Sequence, residues 1–313
     1  MMSWVVNMMM AAMALLHVCV ADAGAGIKVV VTVAPLKGIV EPLLPAGSEL
    51  AVLMQPGRSE HGYEFSPKEL SQLAGADVVV YVGLNLEPRV AEVLNATPDP
   101  KRRVVCFGEV VGLQQAGEAA ANPEHSHDHE HGEACDHGPV DQHLWLDPVL
   151  VKQLVPAVAA AVRSKMTEAG VEESGLAAIR DAELRHVHAI DVVDQEWRDG
   201  ISKLGEVSIV THHNAFSRPA ERYGFKVAAV IRTMEGREPT PADIASVVSE
   251  IRAQKVRAIF VEPQFNAKTA ERIAKSAKVK LGKLDPLGDG DWFALMRSNL
   301  ASIRESLGET ERK

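Results

Sequence analysis

The stretch LAAIRDAELRHVHAIDVVDQEWRDGISKL, residues 176–204, decides how the rest of the chain is read. Its apolar residues Leu176, Ile179, Val187, Ile190, Trp197, Ile201 and Leu204 recur at helical spacing on one side. No proline or turn cluster interrupts it. At 1.5 Å per residue the helix would be roughly 40 Å long. His186 and His188 lie on it two residues apart, so they point to different faces and read as packing or surface residues.

On either side of this helix the pattern changes to short apolar runs alternating with helical segments. Upstream, strands are expected over residues 27–34, 50–54, 77–82 and 103–107, with helices over 36–44, 66–74 and 86–94 between them. Ser66-Pro67-Lys68-Glu69 is a capping box with proline at the first helical position. Pro148 can start a further helix that runs to about residue 169. Downstream, strands are expected over 207–211, 225–231, 258–261 and 279–284. Helices are expected to about residue 223, and over 240–253, 267–277 and 292–307. Thr240-Pro241-Ala242-Asp243 repeats the cap of Ser66, and Leu284-Asp285-Pro286 echoes Leu146-Asp147-Pro148. The expectation is therefore an α/β protein of two lobes, each with a parallel sheet flanked by helices, joined by a long rigid helix. The boundaries read as 24–147 for the first lobe, 148–204 for the helical linker and 205–313 for the second lobe.

The bulk numbers agree with a globular chain of two ordinary domains: 313 residues, 46% hydrophobic and 24% charged. Lys and Arg total 33 against 42 Asp and Glu, a net charge of −9, which argues against a nucleic-acid partner. Three cysteines are too few for a disulfide scaffold. The apolar run from Met8 to Val20, followed by Ala21-Asp22-Ala23, reads as a signal peptide over residues 1–23, although no Lys or Arg precedes the run. Cys106 reads as a buried strand residue, and Cys135 is open to pairing with it or to metal binding.

Six of the twelve histidines lie between His125 and His143. His125, His127, His129, His131 and His137 alternate with carboxylates in a tract that cannot bury a core, so a loose, metal-gathering loop over 124–143 is expected. His143 differs, because Trp145 and Leu146 beside it place it at the edge of a core. Ligands of an open parallel sheet bind at the carboxyl ends of its strands. That rule selects His61, His143, His213 and Asp285, which converge on one cleft if the two sheets face each other. Three imidazoles and a carboxylate suit tetrahedral zinc, and Glu60 is a competing oxygen donor.

Five ordered blocks now stand together: residues 56–64 (PGRSEHGYE), 141–148 (DQHLWLDP), 213–216 (HNAF), 261–265 (VEPQF) and 284–288 (LDPLG). Together they resemble the ZnuA type of periplasmic zinc-binding protein, within the cluster A-I metal receptors of bacterial ABC importers. The resemblance implies two α/β lobes joined by a rigid helix, with Zn²⁺ held between them as transported ligand. It implies a periplasmic, monomeric receptor whose partner is the membrane permease of an ABC importer, and no catalysis. It places His61, His143 and His213 on the ion, with Glu60, Asp285 or water completing the set. His212, adjacent to His213, would take its place after a register error of one. A third nitrogen donor favours zinc over manganese or iron, which receptors of the same fold also carry. The rival readings are a zinc hydrolase with Glu60 or Glu262 as general base, and a surface adhesin or metal buffer. No H-E-x-x-H motif supports the hydrolase.

Overall fold

A computed structural model describes residues 26–55, 57–113, 140–232 and 239–308. Residues 1–23, expected to be a signal peptide, Cys135 and the tract histidines His125, His127, His129, His131 and His137 lie outside the described residues. The first half runs β1 (Lys28–Val31), α1 (Ala34–Val40), a 3-10 turn (Glu41–Leu43), β2 (Glu49–Val52), α2 (Pro67–Ala74), β3 (Val78–Tyr81), α3 (Pro88–Ala96), β4 (Arg103–Cys106) and α4 (Phe107–Val110). A 3-10 turn (Leu144–Leu146) leads into α5 (Pro148–Glu168) and the 30-residue α6 (Glu173–Ser202). The second half runs β5 (Ser208–Thr211), α7 (Ser217–Tyr223), β6 (Lys226–Val230), α8 (Pro241–Ala253), β7 (Ala258–Val261), α9 (Lys268–Ala277), β8 (Lys280–Lys283) and α10 (Trp292–Leu307).

The two sheets repeat one topology. Their strand orders are β2-β1-β3-β4 and β6-β5-β7-β8, and every pairing is parallel. Both proposed caps form: Ser66 opens α2 and Thr240 opens α8 with reciprocal capping boxes. The expected strand over 103–107 ends at Cys106, because Phe107 turns into α4 and is fully buried there.

Side-chain alternation along the strands explains how the halves are joined. In the first sheet Val29, Val31, Val78 and Val80 face a core that contains α5, α6 and α10, whereas Val30 and Val79 face a separate cluster with Leu73 and Val90. In the second sheet Ile209, Ala258 and Phe260 face the same large core, while Val210 and Ile259 face their own outer cluster. One apolar core is thus shared by the inner faces of both sheets. The long helix α6 buries Ile190, Val193, Trp197 and Ile201 in it. His186 is buried and His188 exposed, as their two-residue spacing requires.

Three fully buried tryptophans cross-link this core through hydrogen bonds far apart in sequence. Trp145 Nε1 donates to the Pro286 carbonyl at 2.6 Å, and Trp292 Nε1 donates to the Trp145 carbonyl at 2.7 Å. Trp197 Nε1 donates to the Met296 carbonyl at 3.1 Å. Helix α1 packs on the start of α10 so closely that a Cβ on Gly38 would lie 2.5 Å from Trp292 N and 2.6 Å from Gly290 O. Both are backbone atoms, so no side-chain motion relieves the clash. Gly38→Ala is therefore expected to force α1 and α10 apart and to destabilise the fold by about 1–3 kcal/mol, read as a lower urea midpoint.

Candidate metal centre

Four side chains meet at the carboxyl ends of the two sheets. Glu60 and His61 come from the loop between β2 and α2, His143 from the segment before α5, and His213 from the loop between β5 and α7. One ligand atom from each lies within 4.8 Å of all the others. His143 Nε2 is 3.2 Å from His61 Nε2, 3.1 Å from His213 Nε2 and 3.1 Å from Glu60 Oε1. His213 Nε2 is 3.6 Å from Glu60 Oε1. Bonds of ~2.0–2.1 Å to a tetrahedral zinc ion place ligand atoms about 3.3 Å apart, so these four spacings match edges of a zinc tetrahedron. Glu60, His143 and His213 are buried and His61 is half-buried, which puts His61 at the mouth.

Each of the two deeper imidazoles is held by a carboxylate on its other nitrogen. His143 Nδ1 lies 2.7 Å from Asp141 Oδ1, and His213 Nδ1 lies 2.5 Å from Glu262 Oε2. Glu262 Oε1 also accepts from the His213 backbone N at 3.0 Å. These contacts leave both Nε2 atoms aimed at the common centre. Glu60 Oε2, beside the Oε1 that faces the imidazoles, is buried with no hydrogen-bond partner among the described residues, so the carboxylate is not fully satisfied by the protein around it.

Charge follows from this packing. Burial alone would lower His213, but its hydrogen bonds to Glu262 and Glu60 override that and hold it at about 10. Burial would likewise lower His143, and Asp141 and Glu60 raise it instead. His61 falls to about 4 through burial and the charge of His143. Burial would raise Glu60, yet its bonds to His143 and His213 hold it well below the usual carboxylate range. Three carboxylates, Glu60, Asp141 and Glu262, therefore surround three imidazoles, a charge balance that suits a divalent cation.

Sequence reasoning left two positions open. Asp285 is not part of the group: its Oδ1 accepts from Gln264 Nε2 at 2.8 Å and from the Leu287 and Gly288 backbone N atoms at 3.1 and 3.0 Å. It shapes the turn after β8, the role its place before a proline allows. His212 is also outside the group, because its ring stacks on Phe265 with centroids 4.6 Å apart and planes 3° apart. Two functional side chains were missed as orienting groups, Asp141 and Glu262. Both stand within motif blocks of the sequence, and Glu262 directly follows β7, so the strand-end rule would have selected it.

The profile of the ZnuA family, described as zinc-uptake complex component A, periplasmic, matches residues 29–306. The chain belongs to this family. It is 25% identical over 289 residues to the zinc-binding lipoprotein AdcA of Streptococcus pneumoniae serotype 4, covering 90% of this chain and 56% of AdcA. The chain thus spans little more than half the length of that relative. It is also 25% identical to the high-affinity zinc uptake system protein ZnuA of Brucella suis biovar 1, covering 90% of this chain and 92% of that protein. In fold, a ZnuA crystal structure superposes with a TM-score of 0.71 at 20% identity, covering 90% of this chain and all of that one. FpvC from Pseudomonas aeruginosa, solved in complex with Mn²⁺, superposes with a TM-score of 0.68 at 18% identity, covering 90% and 98%.

Glu262→Gln removes the charge that holds His213 in place, and it is expected to weaken divalent-ion affinity by about 10- to 100-fold, measured by competition with a chromophoric chelator. The pH dependence has a definite sign. An ion bound at this centre would take the His213 Nε2 lone pair, and a metal-free imidazole held at about 10 carries a proton at neutral pH. Binding must release that proton, so affinity is expected to fall by about tenfold per unit as pH drops from 8 to 6. Titration calorimetry in buffers of different ionisation enthalpy counts the protons released.

Proposed function

We propose that the protein is an extracytoplasmic receptor that captures Zn²⁺ between its two halves and delivers it to the permease of an ABC importer. One observation carries this reading: ligand atoms of His61, His143, His213 and Glu60 all lie within 4.8 Å of one another, and His143 Nε2 stands 3.1–3.2 Å from the other three. His61, His143, His213 and Glu60 are the ligands in this reading, with Glu60 as the fourth donor in place of Asp285 or water. Zinc accepts imidazole nitrogen and tetrahedral geometry readily, whereas manganese prefers six largely oxygen donors. The three-nitrogen set thus supports zinc over the manganese or iron alternative.

The same closed set argues against catalysis. A hydrolytic zinc keeps a position open for water. Four protein donors leave none, so the ion is cargo and undergoes no chemistry. Delivery outside the cytoplasmic membrane follows the family's periplasmic description and the reading of residues 1–23 as a leader. No helix among the described residues is long and apolar enough to cross a membrane. The tract histidines His125, His127, His129, His131 and His137 would add weaker zinc-gathering donors.

His61→Ala and His143→Ala are each expected to lower zinc affinity by at least about 100-fold, read by competition titration. Elemental analysis of protein purified without chelator should show zinc rather than manganese or iron. Undiminished affinity in both variants would reject the ligand assignment.

A further inference from the structure

We propose that helix α7 is a clamp that positions His143 for the ion, with Asp141 as the positioning residue and Ser217 and Arg218 as its anchors; this rests on the zinc-receptor reading and deepens it. Asp141 divides its carboxylate between the two halves of the molecule. Oδ1 accepts from His143 N at 2.9 Å and faces His143 Nδ1 at 2.7 Å. Oδ2 accepts from Ser217 Oγ at 2.5 Å. The Asp141 carbonyl accepts from Arg218 Nε at 3.0 Å and Nη2 at 2.5 Å. One turn further along α7, Arg222 Nη2 donates to Asp147 Oδ2 at 2.6 Å. Helix α7 therefore grips the segment 141–147 at both ends, with His143 between the grips.

The same helix begins four residues after His213. A single short element thus carries one ligand at its root and holds the segment that bears another. The opposite side of that segment is tied to the first half, where Gln142 Nε2 donates to the Leu84 carbonyl at 2.6 Å. Leu84 and Asn85 both adopt left-handed backbone, with φ of 51° and 60°, a costly conformation for these residues and one a local constraint must hold. The 3.1 Å separation of His143 Nε2 and His213 Nε2 is then fixed by a path of covalent and hydrogen bonds within the protein. The ion finds its two deepest nitrogens already placed, which saves the ordering cost that a loose ligand would impose.

Ser217 tests this without touching a ligand. Zinc affinity of the full chain is measured by chelator competition, with the thermal midpoint of the metal-free protein and the visible spectrum of the Co²⁺ form alongside. Ser217→Ala should weaken zinc by about tenfold, Asp141→Asn by about 10- to 100-fold, and Ser217→Thr, which keeps the hydroxyl, should stay within about twofold of wild type. Because Ser217 acts through Asp141, the double variant should bind no more weakly than Asp141→Asn alone. The Co²⁺ bands of Ser217→Ala should shift as the His143 ring tilts. A wild-type chain that binds zinc while Ser217→Ala matches it would overturn the clamp and leave the receptor reading standing. So would losses that multiply in the double variant, or an affinity loss equalled in Ser217→Thr and matched by a lower thermal midpoint. A wild-type chain without tight zinc binding would remove the receptor reading and the clamp with it.

Discussion

The metal centre depends on a seam that does not give. Its four donor atoms come from three separate chain segments, two in the first half and one in the second, and all lie within 4.8 Å of one another. A displacement of 1 Å between the halves would take at least one nitrogen out of bonding range. The structure meets this requirement by burying the inner faces of both sheets in one apolar core. The tryptophan bonds pin that core where it lies nearest the ligands, since Trp145 is only two residues from His143 and their rings are in edge contact at 5.4 Å. Helix α6 adds a stiff member along the back. Apolar burial supplies the cohesion, and the directional hydrogen bonds supply the register.

Placing three carboxylates and three imidazoles in so small a volume is costly unless every charge has a partner. The two sheets solve a related problem in the same way. In each, a carboxylate from the loop after the third strand in sequence reaches the loop after the first. In the first sheet Glu87 accepts from Thr32 Oγ1 at 2.5 Å and from the Val82 and Gly83 backbone N atoms at 3.0 Å. Burial pushes Glu87 up to about 7. In the second sheet Glu262 meets His213 instead, and the same bridge orients a ligand. The two bridges differ in partner: the first holds an alcohol directly after β1, the second an imidazole two residues past β5.

Much of this was legible in the chain. Alternating apolar runs and helical periods gave two parallel sheets, because strands buried on both faces must be continuously apolar. The Ser66 and Thr240 caps marked helix starts, since proline at the first turn and a carboxylate at the third position satisfy the free N–H groups there. His61, His143 and His213, which the structure brings together, were selected because ligands of such sheets gather at strand ends. The choice between Glu60 and Asp285 was not legible. Both are carboxylates near strand ends, and only the fold shows that Asp285 spends its Oδ1 on Gln264 and on two backbone N–H groups. The His212–His213 ambiguity had the same root: both lie in the bend after β5, and a sequence does not say which ring meets the cleft.

The sequence by itself determined the elements, their order, the donor types and the charge, because these follow from local periodicity and side-chain chemistry. Tertiary structure alone decided which donors share a centre, which carboxylates steer the rings from behind, and that α7 reaches across to the His143 segment. Apart from Asp141 on His143, a contact two positions apart, those outcomes turn on contacts between residues 49 to 83 positions apart, and no local pattern encodes such distances.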